Sequence, residues 1–460
     1  MHRGAKDLMM TQTAPVIRLA GGYSEVLQLA FPVVLSLLSQ TLMSAVDTAI
    51  LGHFGTVEQG AAGLAMALLW PFLLSCNCSG AGVNIFVAQY MGAQRRHDCG
   101  AITWQGVYVS VLAWLPMLIA GLYAQPLVHF SAPSPELLEP TALYLRIRLL
   151  GGLPALLNFT LLSFFRGLGD TRTPLVVTLV MELLNALLDV LLIFGYAGFP
   201  RLGIAGSAIA TVVATAVGTA IYLTLFLRRG LRQGLLSQPR VPFDRQACRR
   251  LIRVSWPVGA QGALEMGAWM LFTTLIARLG AVETAAHAIA TQVMSFSYMS
   301  GYGFSVAATT LVGQYLGAGN LPAARRSMVS CLVLVLVFMG TLGGAFFVWR
   351  YALVDVFTDD ATVATLGARL LIFVALFQLF DACGLIATGV LRGAGDTRWP
   401  MLAGLVVSWG VFLPVAALAI FAWQAGITGA WAAALLYVVL LGTGLMLRLL
   451  HGGWQRRSLA

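Results

Sequence analysis

Charged residues are scarce in this chain of 460 residues, and lysine is almost missing. Only 10% of the residues are charged while 59% are hydrophobic, whereas soluble globular proteins carry charges at about a quarter of their positions. Lys6 is the only lysine. Long polar stretches are rare as well, so no separate soluble domain is expected. These shortages indicate a protein that lies in a membrane.

The shortage of lysine also excludes an ATP-driven pump. A phosphate-binding loop ends in lysine and connects a strand to a helix, and Lys6 has no such context. The glycine-rich segment RGLGDTRTP from Arg166 lacks that lysine. We therefore expect no bound nucleotide and no cofactor, and an ion gradient as the energy source.

Residue patterns that bind metals are lacking too. The six cysteines form no CxxC pair, and no HExxH motif occurs. Both patterns are typical of zinc sites. We expect no metal centre and interpret the cysteines as small core residues.

Hydrophobic segments of roughly 20 to 30 residues recur along the chain, and each is long enough to cross a hydrocarbon core of about 30 Å as an α-helix. The sequence therefore predicts an all-α protein in the lipid bilayer. The twelve predicted spans are 26–51, 61–91, 101–125, 138–164, 173–197, 203–228, 250–278, 284–316, 327–350, 362–390, 399–423 and 428–450.

Basic residues are distributed unequally between the two sides of these spans. All but six of the 28 Lys and Arg residues lie in the tails or in loops on one side. By the positive-inside rule, that side and both termini are cytoplasmic, in the cell membrane or the inner membrane of a Gram-negative bacterium. The net charge of +10 then needs no nucleic-acid partner. The six exceptions are Arg146, Arg148, Arg201, Arg278, Arg350 and Arg369.

The chain contains an internal repeat. FFRGLGDTRTP from Phe164 corresponds to VLRGAGDTRWP from Val390, and QYMGA from Gln89 corresponds to QYLGA from Gln314, at offsets of 225 to 226 residues. Each half holds six spans, so both halves enter the membrane in the same orientation. Such parallel repeats are related by an axis along the membrane normal, with a substrate path between them.

The repeat divides the chain into five parts. The RGxGDTR segments are predicted hinges between the fourth and fifth spans of each half, because glycine interrupts a helix and proline suits the first turn of the next. The linker is expected to form, in part, an amphipathic interfacial helix. The parts are an N-terminal tail (1–25), an N-lobe (26–228), a linker (229–249), a C-lobe (250–450) and a C-terminal tail (451–460).

Several motifs resemble the multidrug and toxic compound extrusion (MATE) family over roughly residues 25–450. They are VDTAILGHFG from Val46, RGLGDTRTP from Arg166, NALLDVLLIFG from Asn185, FQLFDA from Phe377 and RGAGDTRWP from Arg392. The resemblance implies twelve helices in two six-helix lobes, a V shape, and export of organic compounds coupled to a cation.

The resemblance also implies site residues. Asp47 is similar to the first-helix aspartate shared across the family. Glu265 and Asp381 resemble the second-lobe carboxylates of the NorM-type branch. Asp189, with Asn185, resembles the first-lobe pair of the DinF-like and archaeal branch. Because both sets are present, the implied coupling ion is either H⁺ or Na⁺, bound by the first-lobe or the second-lobe acids.

Acidic residues inside membrane spans need an explanation, because each costs about 2.5 to 3.5 kcal/mol on insertion scales. A desolvated carboxylate can exchange a proton for a cation, which is the minimum requirement for antiport. The alternative is a structural role, since hydrogen bonds between membrane helices contribute about 0.6 kcal/mol. The polar stripes at helical spacing are Gln40 with Asp47, Glu182 with Asn185 and Asp189, Gln261 with Glu265, and Gln378 with Asp381.

The repeat favours the functional interpretation of these acids. At the repeat offset Asp47 corresponds to Phe272, and Glu265 corresponds to Gln40. Structural groups would be duplicated more faithfully. The cavity is expected to include Asn77, Asn84, Trp269 and Tyr298, the aromatic ones suited to flat cations, although all four also fit a packing role.

We therefore expect a monomeric antiporter that exports amphiphilic organic cations or drugs. A flippase for a lipid-linked precursor, from the wider superfamily, is the alternative, but it would call for a cationic cavity. An intramembrane enzyme is not expected, because paired aspartates at DDxxD spacing are lacking.

Overall fold

The computed structural model describes residues 20–76, 78–131, 134–235 and 240–456. Within these ranges all regular structure is helical, as predicted. The helices form twelve membrane spans in two lobes of six that follow the internal repeat. The predicted fold class is therefore confirmed.

Nine helices of the described ranges build the six spans of the N-lobe. The second span consists of α2 and α3, and the fourth of α6 and α7, which are bent by 48° at their junction. The helices are α1 (Tyr23–Phe54), α2 (Thr56–Cys76), α3 (Cys78–Gly92), α4 (Arg96–Leu122), α5 (Ala124–Phe130), α6 (Pro135–Leu150), α7 (Leu153–Gly167), α8 (Arg172–Phe194) and α9 (Ile204–Arg232).

The C-lobe repeats this order, but its second and fourth spans are single long helices. Its fifth span, which corresponds to α8, contains a π-helical turn at Ser408–Phe412. The helices are α10 (Arg245–Ala277), α11 (Ala281–Gly317), α12 (Leu321–Val348), α13 (Arg350–Asp355), α14 (Ala361–Gly393), α15 (Arg398–Val407), α16 (Leu413–Phe421) and α17 (Gly426–Leu450).

Three of the spans lie between the two lobes. Among the described residues, eight spans are individually long and apolar enough to cross a membrane, and the bent pair α6–α7 makes a ninth. The remaining spans are α2–α3, α10 and α11. These three pack against one another between the lobes, so part of their surface faces the other lobe rather than lipid.

In the part of the linker that the structure describes, only the two ends are helical, and the amphipathic interfacial helix stays a prediction. Helix α9 continues to Arg232 and α10 begins at Arg245, whereas residues 233–235 and 240–244 are not helical. Gly234 adopts a positive φ of 67°, and Pro242 cannot donate a backbone hydrogen bond. The linker is instead held on α4, because the Tyr108 hydroxyl donates to the carbonyl of Val241 at 2.7 Å.

The two lobes exchange the first halves of their first helices. Val26 and Ala30 of α1 lie in the hydrophobic core of the C-lobe, and Leu251 of α10 lies in the core of the N-lobe. The start of α1 is also fixed by Tyr315 of α11, whose hydroxyl donates to the Glu25 carboxylate at 2.8 Å. The exchange ties the lobes together at the end of the molecule that carries both RGxGDTR segments, here named the hinge end.

Candidate functional site

A polar cluster lies inside the N-lobe, where α1 meets α8. The side chains of Asp47 and Asp189 are within hydrogen-bonding reach of each other. The amide of Asn185 donates to Asp189 Oδ2 at 3.1 Å. Asp189 is fully buried. The buried Oδ1 atoms of both aspartates accept no hydrogen bond from a donor group among the described residues, so each is left for a proton or a cation.

Three further side chains complete this cluster, and a fourth, Glu182, lies beside it. Ser207 of α9 lies within hydrogen-bonding reach of Asp189, and Arg148 of α6 interacts electrostatically with both aspartates. Tyr144, one turn before Arg148, is close enough to interact with the same pair. Glu182, nearer the hinge end on α8, is half-buried and interacts electrostatically with Asp47.

Arg148 was not among the predicted site residues, since in the sequence it is only one of the six basic residues outside the cytoplasmic tails and loops. Its position inside the predicted span 138–164 was the available signal. A cation within a span requires a nearby anion, and the spans of this chain contain few acids. Which acid lies nearby depends on how α6 is placed in the lobe by its packing against α2, α4 and α9, and this packing is visible only in the structure.

A second polar cluster lies in the C-lobe. Gln261 donates to Glu265 Oε1 at 2.9 Å and accepts from Arg392 Nη2 at 3.0 Å. Asp381 of α14 interacts electrostatically with Glu265, although no hydrogen bond joins these two carboxyl groups in the described structure. The structure thus places both acids in one region of the C-lobe, as a looser pair than that of the N-lobe.

Tyr437 of α17 belongs to this second cluster and was not among the predicted residues. It is almost fully buried and interacts electrostatically with both Glu265 and Asp381. Tyr298, which was predicted, interacts with the same two acids. Tyr437 resembles any core aromatic residue of a membrane helix, so the sequence offered no signal for it.

The other residues that were predicted to line the cavity are spread over several parts of the structure. Asn84 is buried between the lobes, where its carbonyl oxygen accepts from Thr310 at 3.3 Å. Gln40 is exposed on α1, and Tyr298 is 38% exposed. Asn77 lies outside the described residues.

Two predicted lining residues are packed within the C-lobe. Trp269 contacts Phe272 and Phe412, each with ring centroids 5.6 Å apart. Gln378 is buried and accepts a short hydrogen bond from Ser297. Both contacts fit the packing alternative for these residues.

At positions related by the internal repeat, the N-lobe has polar or charged residues where the C-lobe has apolar ones. Four residues of the N-lobe cluster have apolar residues at the repeat offset in the C-lobe, and these belong to the core or pack against it. The fold is therefore compatible with an apolar core at this place, so the architecture does not require the acids. The equivalent pairs are Asp47 and Phe272, Tyr144 and Leu370, Arg148 and Val374, and Asp189 and Val415.

A pair of related hydrogen bonds closes the interface between the lobes at the hinge end. Gln89 of α3 donates to the carbonyl of Gly393 at 2.8 Å, and Gln314 of α11 donates to the carbonyl of Gly167 at 2.9 Å. Each glutamine comes from the repeated QYxGA motif and each acceptor from the repeated RGxGDTR motif. We name these two bonds the latch.

The repeated hinge segments also tie down the last span of their own lobe. Gly169 and Gly395 adopt positive φ values of 84° and 79°, which glycine tolerates readily. The following aspartates then bind arginines: Asp170 pairs with Arg229 of α9 at 2.6 Å, and Asp396 pairs with Arg448 of α17 at 3.1 Å. The repeated motif therefore serves both the lobe's own packing and the latch.

The sequence matches the MatE family over residues 32–191 and 257–418. It is 29% identical over 454 residues to the probable multidrug resistance protein NorM of Thermotoga maritima, covering 98% of this chain and 96% of that protein. It is 32% identical over 412 residues to the multidrug resistance protein NorM of Burkholderia vietnamiensis, covering 88% of each.

Solved structures share the fold. An outward-facing multidrug resistance MATE family transporter of the MOP superfamily superimposes with a TM-score of 0.86 at 17% identity, covering 97% of this chain and all of that one. A MATE protein in the straight conformation gives a TM-score of 0.85 at 16% identity, covering 94% of this chain and 97% of that one. With two six-helix lobes, and with the family match across both of them, the chain belongs to the MATE family of multidrug efflux transporters and is not an enzyme.

Proposed function

We propose that this transporter exports amphiphilic organic cations in exchange for inward H⁺ or Na⁺, and that the Asp47–Asp189 pair carries the coupling ion. The observation that supports this most strongly is the contact between the two carboxyl groups, with one oxygen on each that accepts from no donor group in the described part of the chain. The free energy of such a contact changes strongly when an ion binds to the two carboxyl groups or dissociates from them.

A proton is the ion that this contact favours. Two carboxyl groups can hydrogen-bond to each other only if one of them carries a proton, because two carboxylates at that distance repel each other. Sodium is the alternative, since carboxylate and amide oxygens of Asp47, Asp189 and Asn185 are hard ligands of the kind that such cations bind.

A cationic substrate fits the charges of the membrane interior. Glu265 and Asp381 in the C-lobe, together with the N-lobe acids, supply negative charge, and aromatic residues such as Tyr298 offer stacking and cation–π contacts. A lipid-linked precursor with a pyrophosphate group would need a large cationic path. The arginines Arg166 and Arg392 line a cavity with only about 40 Å³ of room for water-sized particles, which argues against that substrate.

The coupling ion can be tested with purified protein in vesicles. If the proton is the coupling ion, a pH gradient alone drives drug movement and a sodium gradient alone does not. The measurement is drug flux with each gradient imposed separately. Flux driven by sodium at constant pH would overturn the assignment of the proton and leave antiport itself intact.

The stoichiometry follows from the same assay. Exchange of one proton for one monovalent cation moves no net charge, so one pH unit supplies about 1.4 kcal/mol, a tenfold drug gradient. We expect the drug accumulation to stay at or below about tenfold per pH unit and to be independent of the membrane potential. Accumulation clearly above that limit without any response to the potential contradicts one-for-one exchange.

The proposed orientation has the hinge end in the cytoplasm, because the basic loops collect there. A single cysteine introduced at Arg240 of the linker, in a background whose native cysteines are replaced, should react with an impermeant thiol reagent only in inverted vesicles. A cysteine at Thr358, in the loop before α14, should react only from outside intact cells. The opposite labelling pattern would reverse the topology.

A further inference from the structure

Two arginines from different lobes line one cavity beside the latch. Arg166 belongs to the last turn of α7 and Arg392 to the last turn of α14, and they occupy equivalent places in the repeat. The cavity also includes Asn84, Ser163 and Tyr302, and it has about 40 Å³ of room for water-sized particles. Since a water needs roughly 10 to 15 Å³ of such room, the space suits about three particles of that size.

Arg166 is buried without a carboxylate partner. Only 6% of the residue is exposed, and its Nε atom is buried with no hydrogen-bond partner in the described structure. The ionisable groups that interact with it are the phenols of Tyr302 and Tyr222, which are neutral at ordinary pH. A guanidinium group stays protonated in proteins, so this positive charge has no counterion among the described residues.

Arg392 is only partly compensated. Its Nη2 donates to Gln261, which in turn donates to Glu265, and the guanidinium group also interacts electrostatically with the Glu265 carboxylate. The cavity is therefore lined by two arginines, of which Arg166 has no carboxylate partner among the described residues. A buried charge is costly unless it is paired and hydrogen-bonded, so the missing partner is an anion.

We propose that the cavity binds a small monovalent inorganic anion of halide size, held between Arg166 and Arg392. Two further residues can donate hydrogen bonds to the anion. The carbonyl oxygen of Asn84 accepts from Thr310, which leaves the Asn84 amide group available as a donor. Ser163, which carries a hydroxyl group, lines the same cavity. This site is separate from the Asp47–Asp189 pair and does not depend on which ion drives transport.

The anion has a consequence for the transport cycle. Arg166 and Arg392 belong to different lobes, so an anion can contact both only while the interface at the hinge end is closed. A ligand shifts an equilibrium toward the state that it binds better. The anion therefore neutralises two like charges at closure and stabilises the latched arrangement.

The test compares chloride with gluconate in purified protein at constant sodium concentration and constant ionic strength. The thermal unfolding midpoint should rise with chloride and reach a plateau, and bromide should act in the same way. Arg166→Gln and Arg392→Gln should each remove this dependence. Arg326→Gln, an exposed arginine on α12, is the matched control and should keep it.

Several outcomes overturn the proposal. The first is a wild-type unfolding midpoint that does not change with chloride. The second is a chloride-dependent rise in the midpoint of both arginine variants that equals the rise in the wild type. The third is a midpoint that rises with phosphate or acetate but not with halides. If the glutamine variants fail to accumulate, Ser163→Ala provides the milder test and should raise the half-saturating chloride concentration several-fold. Crystals soaked in bromide give an independent test: an anomalous peak between the two arginines supports the site, and its absence at saturating bromide excludes it.

Discussion

Asp47→Asn should reduce gradient-driven drug export to the background of empty vesicles while leaving the protein folded in the membrane. Asparagine has nearly the same shape as aspartate and can still donate a hydrogen bond to Asp189, so the contact between α1 and α8 persists. It cannot take up or release a proton, and its neutral amide binds a cation more weakly than a carboxylate does. The step that couples the gradient to transport is therefore lost.

The measurement separates coupling from substrate binding. Efflux and equilibrium drug binding should be determined for the same purified variant, and we expect efflux to disappear while binding changes much less. Glu182→Gln is the matched control. It also neutralises a half-buried acid near Asp47, but it leaves the Asp47–Asp189 contact intact, so its effect should be mild.

The second cluster is tested by Asp381→Asn, for which we expect the same loss of efflux. Among the described residues, Asp381 and Glu265 interact electrostatically and no hydrogen bond joins them, so this site depends on charge more than on a shared proton. Full efflux by Asp381→Asn would confine coupling to the N-lobe. Full efflux by Asp47→Asn as well would leave the antiport mechanism without its proposed carriers.

Gly92→Ala and Gly317→Ala should also abolish transport, for a different reason. A Cβ atom at Gly92 would overlap the carbonyl oxygen of Gln314, and one at Gly317 would overlap that of Gln89. Both obstacles are backbone atoms, which a rotamer change cannot move. The helices α3 and α11 must separate, and the latch bonds donated by Gln89 and Gln314 break.

Gly444→Ala on α17 is the matched control, because an added Cβ there meets nothing within 4 Å. Alanine favours a helix by up to about 1 kcal/mol over glycine, so this variant should be as stable as the wild type or more so, and fully active. The readouts are vesicle transport and the reaction of a single cysteine at Ser163 with a thiol reagent added at the hinge end. We expect faster reaction in the Gly92 and Gly317 variants, and normal transport by either would contradict the latch.

The sequence alone determined the class of protein, the number of spans and the repeat. Hydropathy and helical periodicity are properties of neighbouring residues, so they can be determined from the sequence without knowledge of the fold. The same reasoning was less informative at the linker, where residues 229–232 and 245–249 continue α9 and α10, whereas residues 233–235 and 240–244, which include Gly234 and Pro242, are not helical.

The acids of the sites were also visible in the sequence, because a charge inside a span stands out against its apolar neighbours. Their partners were not visible. Asp47 of the first span meets Asp189 of the fifth, Arg148 joins them from α6, and Tyr437 joins the C-lobe acids from α17.

Tertiary structure alone decided what the repeated motifs do. The sequence shows that QYxGA and RGxGDTR each occur twice, but both motifs read as local features of a loop and a helix end. Packing makes each glutamine bond to the hinge of the opposite lobe, and the exchange of the first halves of α1 and α10 brings the lobes together there. Such contacts join residues far apart in the chain, and their geometry depends on how whole helices pack, which no local pattern in the sequence encodes.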